Sequence, residues 1–396
     1  MAANPVAGAV KMIRKLPGLS LILLVALCAI TTGCHSFAIS TTTEPPSNAQ
    51  SPINIQWKKE ISEPICLAMT QDGEFFGSVD KTGKVQFMNH DGSIIWTKQV
   101  EGATDMMIAK NGQSVLVYSK LNPIYQDVYF FRADGFRLWN HRVEGSIWAG
   151  AVSSNGSYAA VTTGKQFVYV YRPDPNHPKY HRWRLDGIGR SIAFSPDSEH
   201  IIIGAWQKSG LLRFDLNGKL EWRGAQRTER QYNVRISADE RTILSTYPGR
   251  QHDPYVEFSL WDSRGKLLWR KGINGYDGWA LVSPTSQYVA LSYANTISHG
   301  DSRIIERKVD VYKADGQLLW RKGGLFFGPR LIALSPKGSS VIVWDGEKSL
   351  YNIDQNGRIL SKLILGNKVS KVLSSEDGRK VLLYCSDGFV YLLNIG

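Results

Sequence analysis

Two interleaved columns of repeated residues predict an all-β chain folded as a single β-propeller, most simply one of eight four-stranded blades. One column is an Asp/Asn-Gly turn followed a few residues later by Trp. The other is an apolar strand, a tight turn and a second apolar strand, written eight times. No long stretch after residue 52 carries helical periodicity.

The Trp column reads HDGSIIW to Trp96, ADGFRLW to Trp139, DLNGKLEW to Trp222, DSRGKLLW to Trp269 and ADGQLLW to Trp320. Trp183 follows a degenerate copy, PDPNHPKYHRW. DQNGRILS places Ser361 where Trp would stand, and Trp57 supplies the strand alone. From Trp57 the intervals are 39, 43, 44, 39, 47, 51 and 41 residues, close to the length of a four-stranded blade. Trp57, Trp96, Trp139, Trp183, Trp222, Trp269 and Trp320 are therefore expected to lock blade against blade.

The second column runs from CLAMTQDGEFFGSV to KVLSSEDGRKVLLY. Its turn residues Asp72-Gly73, Asn111-Gly112, Asn155-Gly156 and Asp377-Gly378 tolerate positive φ and suit tight hairpins. Each unit then holds strands a, b, c and d. Eight a–b–c sets follow residue 64, but the first d strand, residues 53–60, precedes the first a strand. That strand is expected to complete the last blade beside Phe389–Ile395 and remove the open edge. Seven blades is the alternative, if two weak units merge.

The chain has 396 residues, a formal net charge of +12, 43% hydrophobic and 21% charged residues, which excludes a disordered or collagen-like polypeptide. Four Cys exclude a disulfide-stapled scaffold. Residues 1–33 begin with Lys11, Arg14 and Lys15 and no acid, then run apolar from Leu19 to Ile30, broken only by Ser20. That run is too short to span a bilayer comfortably and fits a secretory signal. Thr31-Thr32-Gly33-Cys34 resembles a bacterial lipobox, in which the Cys is acylated and becomes the new N-terminus, although Thr31 stands where that family prefers Leu. Residues 34–52, rich in Ser, Thr and Pro, read as a tether, and residues 53–396 as the propeller. His35 follows Cys34. In enterobacteria-like systems Asp at that place retains lipoproteins at the inner membrane, so the resemblance favours the outer one. Cys66 and Cys385 fall in neighbouring blades at the closure, as a disulfide or as two buried thiols.

Gly-Lys-x-x-Trp at Gly218–Trp222 and Gly265–Trp269 resembles the tryptophan-docking motif of quinoprotein-dehydrogenase-like propellers. Ser195-Pro196-Asp197 is similar to the hairpins of WD40- and YVTN-type repeats. The first resemblance implies eight blades. It also raises a quinone-cofactor enzyme as an alternative, but that family's adjacent Cys-Cys pair is absent here. The chain has no Gly-x-Ser-x-Gly elbow, His-Glu-x-x-His, Walker-type loop or Cys-x-x-Cys-His. Asp174, His177 and His181 have a loose metal-like spacing that reads better as a solvated loop. No cofactor, metal or catalytic residue is expected.

In a propeller the d–a and b–c connections share one face. The long b–c connections are expected at Lys120–Asp127, Pro248–Tyr255 and Asn295–Arg307. The d–a segments bring Trp148, Arg190, Tyr232, Tyr276, Trp279, Phe326, Phe327 and Arg330 to the same face. Variable loops on a rigid scaffold usually carry function, and aromatic and Arg side chains are the usual interface anchors. Arg and Lys following the Trp column spread charge around the outer rim instead of forming the stripe that nucleic acid requires. The sequence thus points to a lipid-anchored scaffold with an envelope protein partner, a monomer or a subunit of a complex. A binder of small ligands or glycans on the aromatic face is the other non-enzymatic reading.

Overall fold

A computed structural model describes residues 53–396 except 121, 123, 173, 175–177, 207–209, 225–232, 250–251, 300–301, 325–327 and 329, with backbone alone for the rest of 296–304. Cys34, the tether, His177, Tyr232, Phe326 and Phe327 lie outside the described residues. The described strands form six four-stranded antiparallel sheets and one of seven strands. The seven-stranded sheet is two blades sharing one strand, Leu267–Val282. Its first half pairs with Tyr255–Asp262 and its second half with Tyr288–His299. Eight blades result, spanning residues 64–99, 103–144, 147–184, 188–224, 233–274, 275–323, 330–364, and 369–395 with 53–60.

The innermost strands close a ring. Pro64–Met69 contacts Ala103–Ile108, which contacts Ile147–Val152, and the series continues through Ile188–Phe194, Asn233–Ile236, Leu267–Val282, Arg330–Leu334 and Val369–Ser374 back to Pro64–Met69. The seam is the expected one. Ile53–Glu60 lies antiparallel to Phe389–Ile395, from Ile53 opposite Ile395 to Glu60 opposite Phe389.

The core is divided among the blade interfaces. Eight buried apolar clusters occur among the described residues, each spanning one adjacent pair of blades. Val79, Val85, Phe87 and Trp96 of blade 1 meet Met106, Val115, Val117 and Phe131 of blade 2. At the seam, Leu382, Val390 and Leu392 of blade 8 meet Leu67, Phe76 and Met88 of blade 1. A radial sheet buries both faces, so its middle strands lose their polar alternation, as in Ser114–Ser119 and Thr242–Tyr247, buried throughout.

At six of the eight interfaces a Trp of the column meets the Gly-bearing turn of the next blade. Trp57, Trp96, Trp222 and Trp269 donate their indole N–H to the carbonyls of His90, Ala133, Ser263 and Ala314 at 2.9, 3.1, 3.1 and 3.0 Å. Each acceptor lies two residues before the turn Gly of the next blade, and the ring lies flat on that Gly. A Cβ on Gly265 would fall 2.7 Å from Trp222, and one on Gly218 would fall 2.6 Å from Trp183. These Gly residues have φ near +80° to +90°, the left-handed conformation that ends a type I turn with a bulge. Trp139 departs from the pattern. Blade 3 has the degenerate turn, and the Trp139 ring stacks instead on Tyr171, centroids 4.6 Å apart.

Cys66 and Cys385 are free thiols. Burial pushes each up to about 11.

Candidate functional site

The two faces are built differently. On the lower face a Ser or Thr opens most a–b turns, and its hydroxyl accepts the backbone N–H five residues on, as from Ser153 to Tyr158, Ser195 to His200 and Ser335 to Ser340 at 2.8–2.9 Å. Neighbouring turns are also tied together. Asn111 Nδ2 donates to the Asn155 carbonyl at 2.8 Å, the Asp239 N–H to Pro284 at 3.1 Å, and the Glu376 N–H to Gln71 at 2.7 Å. Lys110 and Glu376 pair at 3.1 Å across the blade between them. Among the described residues one group of potential metal ligands comes together here, Asp197, Glu199 and His200. Asp197 is already engaged by the Ser195 hydroxyl and the Glu199 N–H, and His200 Nδ1 lies 3.1 Å from Glu221.

The upper face carries the longer connections and the open space. The inner strands of seven blades carry a register shift at their upper ends, between Pro64/Cys66, Ala103/Asp105, Ile147/Ala149, Gly189/Ser191, Tyr276/Trp279, Leu331/Ala333 and Val369/Lys371. A bulge leaves one residue unpaired and re-aims its side chain. Trp148 and Arg190 occupy two of these positions. Trp148 is 45% exposed. The Arg190 guanidinium lies over it at 3.6 Å from the ring centroid, and 4.8 Å from that of Trp206. This cation between two indoles spans blades 3 and 4.

A second group surrounds a cavity of about 480 Å³, reached from blades 5 to 8. Trp279 and Arg330 line it with Asn233, Tyr293, Arg307 and Trp344. Tyr293 is anchored from behind. Its hydroxyl donates to the buried Asp310 at 3.0 Å, and Asp310 also holds the Tyr312 hydroxyl at 2.7 Å and Arg321 through two contacts of 2.8 Å. Burial and the Asp310 carboxylate push the Tyr293 phenol well above its ordinary range. Below Trp279, Arg235 of the blade 5 inner strand lies 5.2 Å from the ring centroid and lines a lower cavity of about 180 Å³ with Gln71, Ser237 and Glu376. Water in the channel reaches the Arg235 side chain, but the protein around it is dense, and that desolvation pushes its pKa down.

The structure therefore places Trp148 with Arg190, and Trp279 with Arg330. Tyr276 is half-buried opposite Ala294 and does not line the cavity. Sequence reading missed Trp206, Arg235, Tyr293, Arg307 and Trp344. Arg235 had a signal, a cation inside the apolar inner strand NVRI. The others stand on strands whose alternation does not report distance from the channel.

Two expectations change. Asn295–Arg307 is no loop: Tyr288–His299 and Ser302–Lys313 form a continuous ladder from Tyr288/Lys313 to His299/Ser302, extending past both flanking strands. The β-branched residues of that stretch favour the pleated conformation. Two of the Arg residues after the Trp column are also paired with buried carboxylates, whereas Arg184 and Arg223 stay exposed. Arg270 pairs with buried Glu257 at 3.2 Å, and Arg321 with Asp310. In blades 5 and 6 a carboxylate on strand c thus collects the cation on strand d, so these two blades present less positive charge at the rim than the sequence suggests.

No protein-family model matches the chain, and no curated protein matches it in sequence. Solved structures do. The Dos1 propeller is 13% identical over 88% of this chain and 97% of its own, with a TM-score of 0.67. The C-terminal WD40 domain of Sif2 is 10% identical over 87% and 98%, TM-score 0.65. Kuenenia stuttgartiensis hydrazine synthase is 14% identical over 85% and 97%, TM-score 0.55. At these identities the likeness establishes the propeller fold and nothing finer.

Proposed function

We propose that this chain is an exported, lipid-anchored β-propeller that serves as a non-catalytic protein-interaction scaffold in the cell envelope. The leader ending at Cys34 and the polar tether support the anchoring; His35 favours the outer membrane. The observation that carries the binding role is the asymmetry of the faces. Lower turns are tied to one another, whereas the upper face gathers Trp148, Arg190, Trp206, Trp279, Arg307 and Arg330 around bulges and an open cavity. Trp and Arg dominate the energetics of protein interfaces, particularly around concave centres.

The test is affinity capture of the native, detergent-extracted protein followed by mass spectrometry. A stoichiometric envelope protein is expected, retained by the lower-face variant Arg379→Gln and lost from Trp279→Ala. The same preparation of Cys34→Ala should leave the membrane fraction. Capture of no stoichiometric partner, or of one indifferent to Trp279, would contradict the reading.

A further inference from the structure

We propose that the upper cavity docks an acidic peptide segment of the partner, with Arg307 and Arg330 as its carboxylate receptors. This rests on the scaffold reading and names the chemistry of the partner.

Arg307 is half-buried and Arg330 exposed in the cavity wall. Among the described residues neither has a carboxylate within ion-pair distance. Arg235, beneath Trp279, has none either. On the outer strands of blades 5 and 6 two arginines are matched by buried acids, Glu257 for Arg270 and Asp310 for Arg321. Arg307 and Arg330 differ from these two in standing in a cavity wall with no paired carboxylate among the described residues.

Two carboxylates share the wall. Glu347 is held by Lys368 at 2.8 Å, and Asp277 is exposed. The local balance is therefore positive, and concave walls of low dielectric focus that potential. A guanidinium presents a planar fork that matches a carboxylate in two contacts. Trp279, Tyr293 and Trp344 supply flat apolar walls for the aliphatic stems of Asp or Glu. A space of about 480 Å³ exceeds what one carboxylate needs and admits a short run of residues. Two receptors in one cavity favour an occupant with several acids along a backbone.

The test is calorimetric titration of the purified propeller with capped hexaglutamate, capped hexaglutamine and free glutarate. Hexaglutamate should bind, weaken with added salt and exceed hexaglutamine at least tenfold. Arg307→Gln and Arg330→Gln should each weaken it about tenfold or more, and Arg235→Gln by less. Melting temperatures should hold, because no partner is orphaned. Arg379→Gln on the lower face should bind as the parent does. Equal binding of the two peptides, equal loss in Arg379→Gln, or glutarate binding as tightly as hexaglutamate would overturn the proposal. A partner captured from membranes but indifferent to Arg307 and Arg330 would leave the scaffold standing and remove the acidic docking.

Discussion

A Gly held at φ near +80° does two things in this protein. It ends a turn that an L-residue would strain, and it offers a bare surface to an indole from the neighbouring blade. The contributions separate because not every such Gly carries a ring. Gly265 lies under Trp222, whereas Gly388, at φ +86°, has no side chain or distant backbone within 4 Å of an added Cβ. Gly388→Ala should cost about 1–2 kcal/mol from left-handed strain alone. Gly265→Ala should cost about 2–4 kcal/mol, since the ring must also move. Denaturant melts of both variants measure the difference, and equal losses would show that the indole platform contributes nothing. The turn and the docking Trp were readable from the sequence because they recur at a fixed spacing, whereas the contact of each ring with the next blade's Gly emerges only in the structure. Arg330 was legible as a residue of the upper face, but the isolation of the cavity arginines from acids was not, since it depends on distances that no spacing encodes.

At the scale of the element, the interface between blades 2 and 3 shows how a blade compensates for a turn without its Gly. The strand Phe167–Arg172 supplies Tyr171 under Trp139, and His141 Nδ1 joins the Tyr171 hydroxyl at 2.9 Å with Tyr180 alongside. Burial, with nearby Arg182, holds the His141 pKa below 6.5. The folded protein thus keeps the imidazole neutral where the unfolded chain accepts a proton, so stability falls as pH drops through about 6.5. Thermal melts between pH 7.5 and 5 should show this fall, and His141→Gln should flatten it. An unchanged slope would mean His141 titrates as freely in the fold as outside it. The same scale explains Ser361. Its blade faces blade 8, where Phe389–Ile395 and Ile53–Glu60 are not joined by a turn, so no Gly platform exists for a Trp at that place. The sequence break at Ser361 and the displaced first strand are two signs of one seam.

At the scale of the whole molecule, blade number and closure were legible by counting strands, because each interface buries its own apolar cluster and must have two walls. The relief of the upper face was not. The Asn295–Arg307 stretch reads as a polar connection, yet it continues the ladder beyond its blade. Rim charge reads as evenly spread, yet in blades 5 and 6 strand c acids collect Arg270 and Arg321. The upper cavity depends on the ring being closed by Ile53–Glu60, which fixes blade 1 against blade 8 and so fixes the cavity walls. The direct measurement is sedimentation velocity with a parallel melt on the propeller lacking residues 53–60. An exposed edge at Phe389–Ile395 should drive self-association and lower the melting temperature substantially. A monomer that melts like the parent would contradict closure by the N-terminal strand.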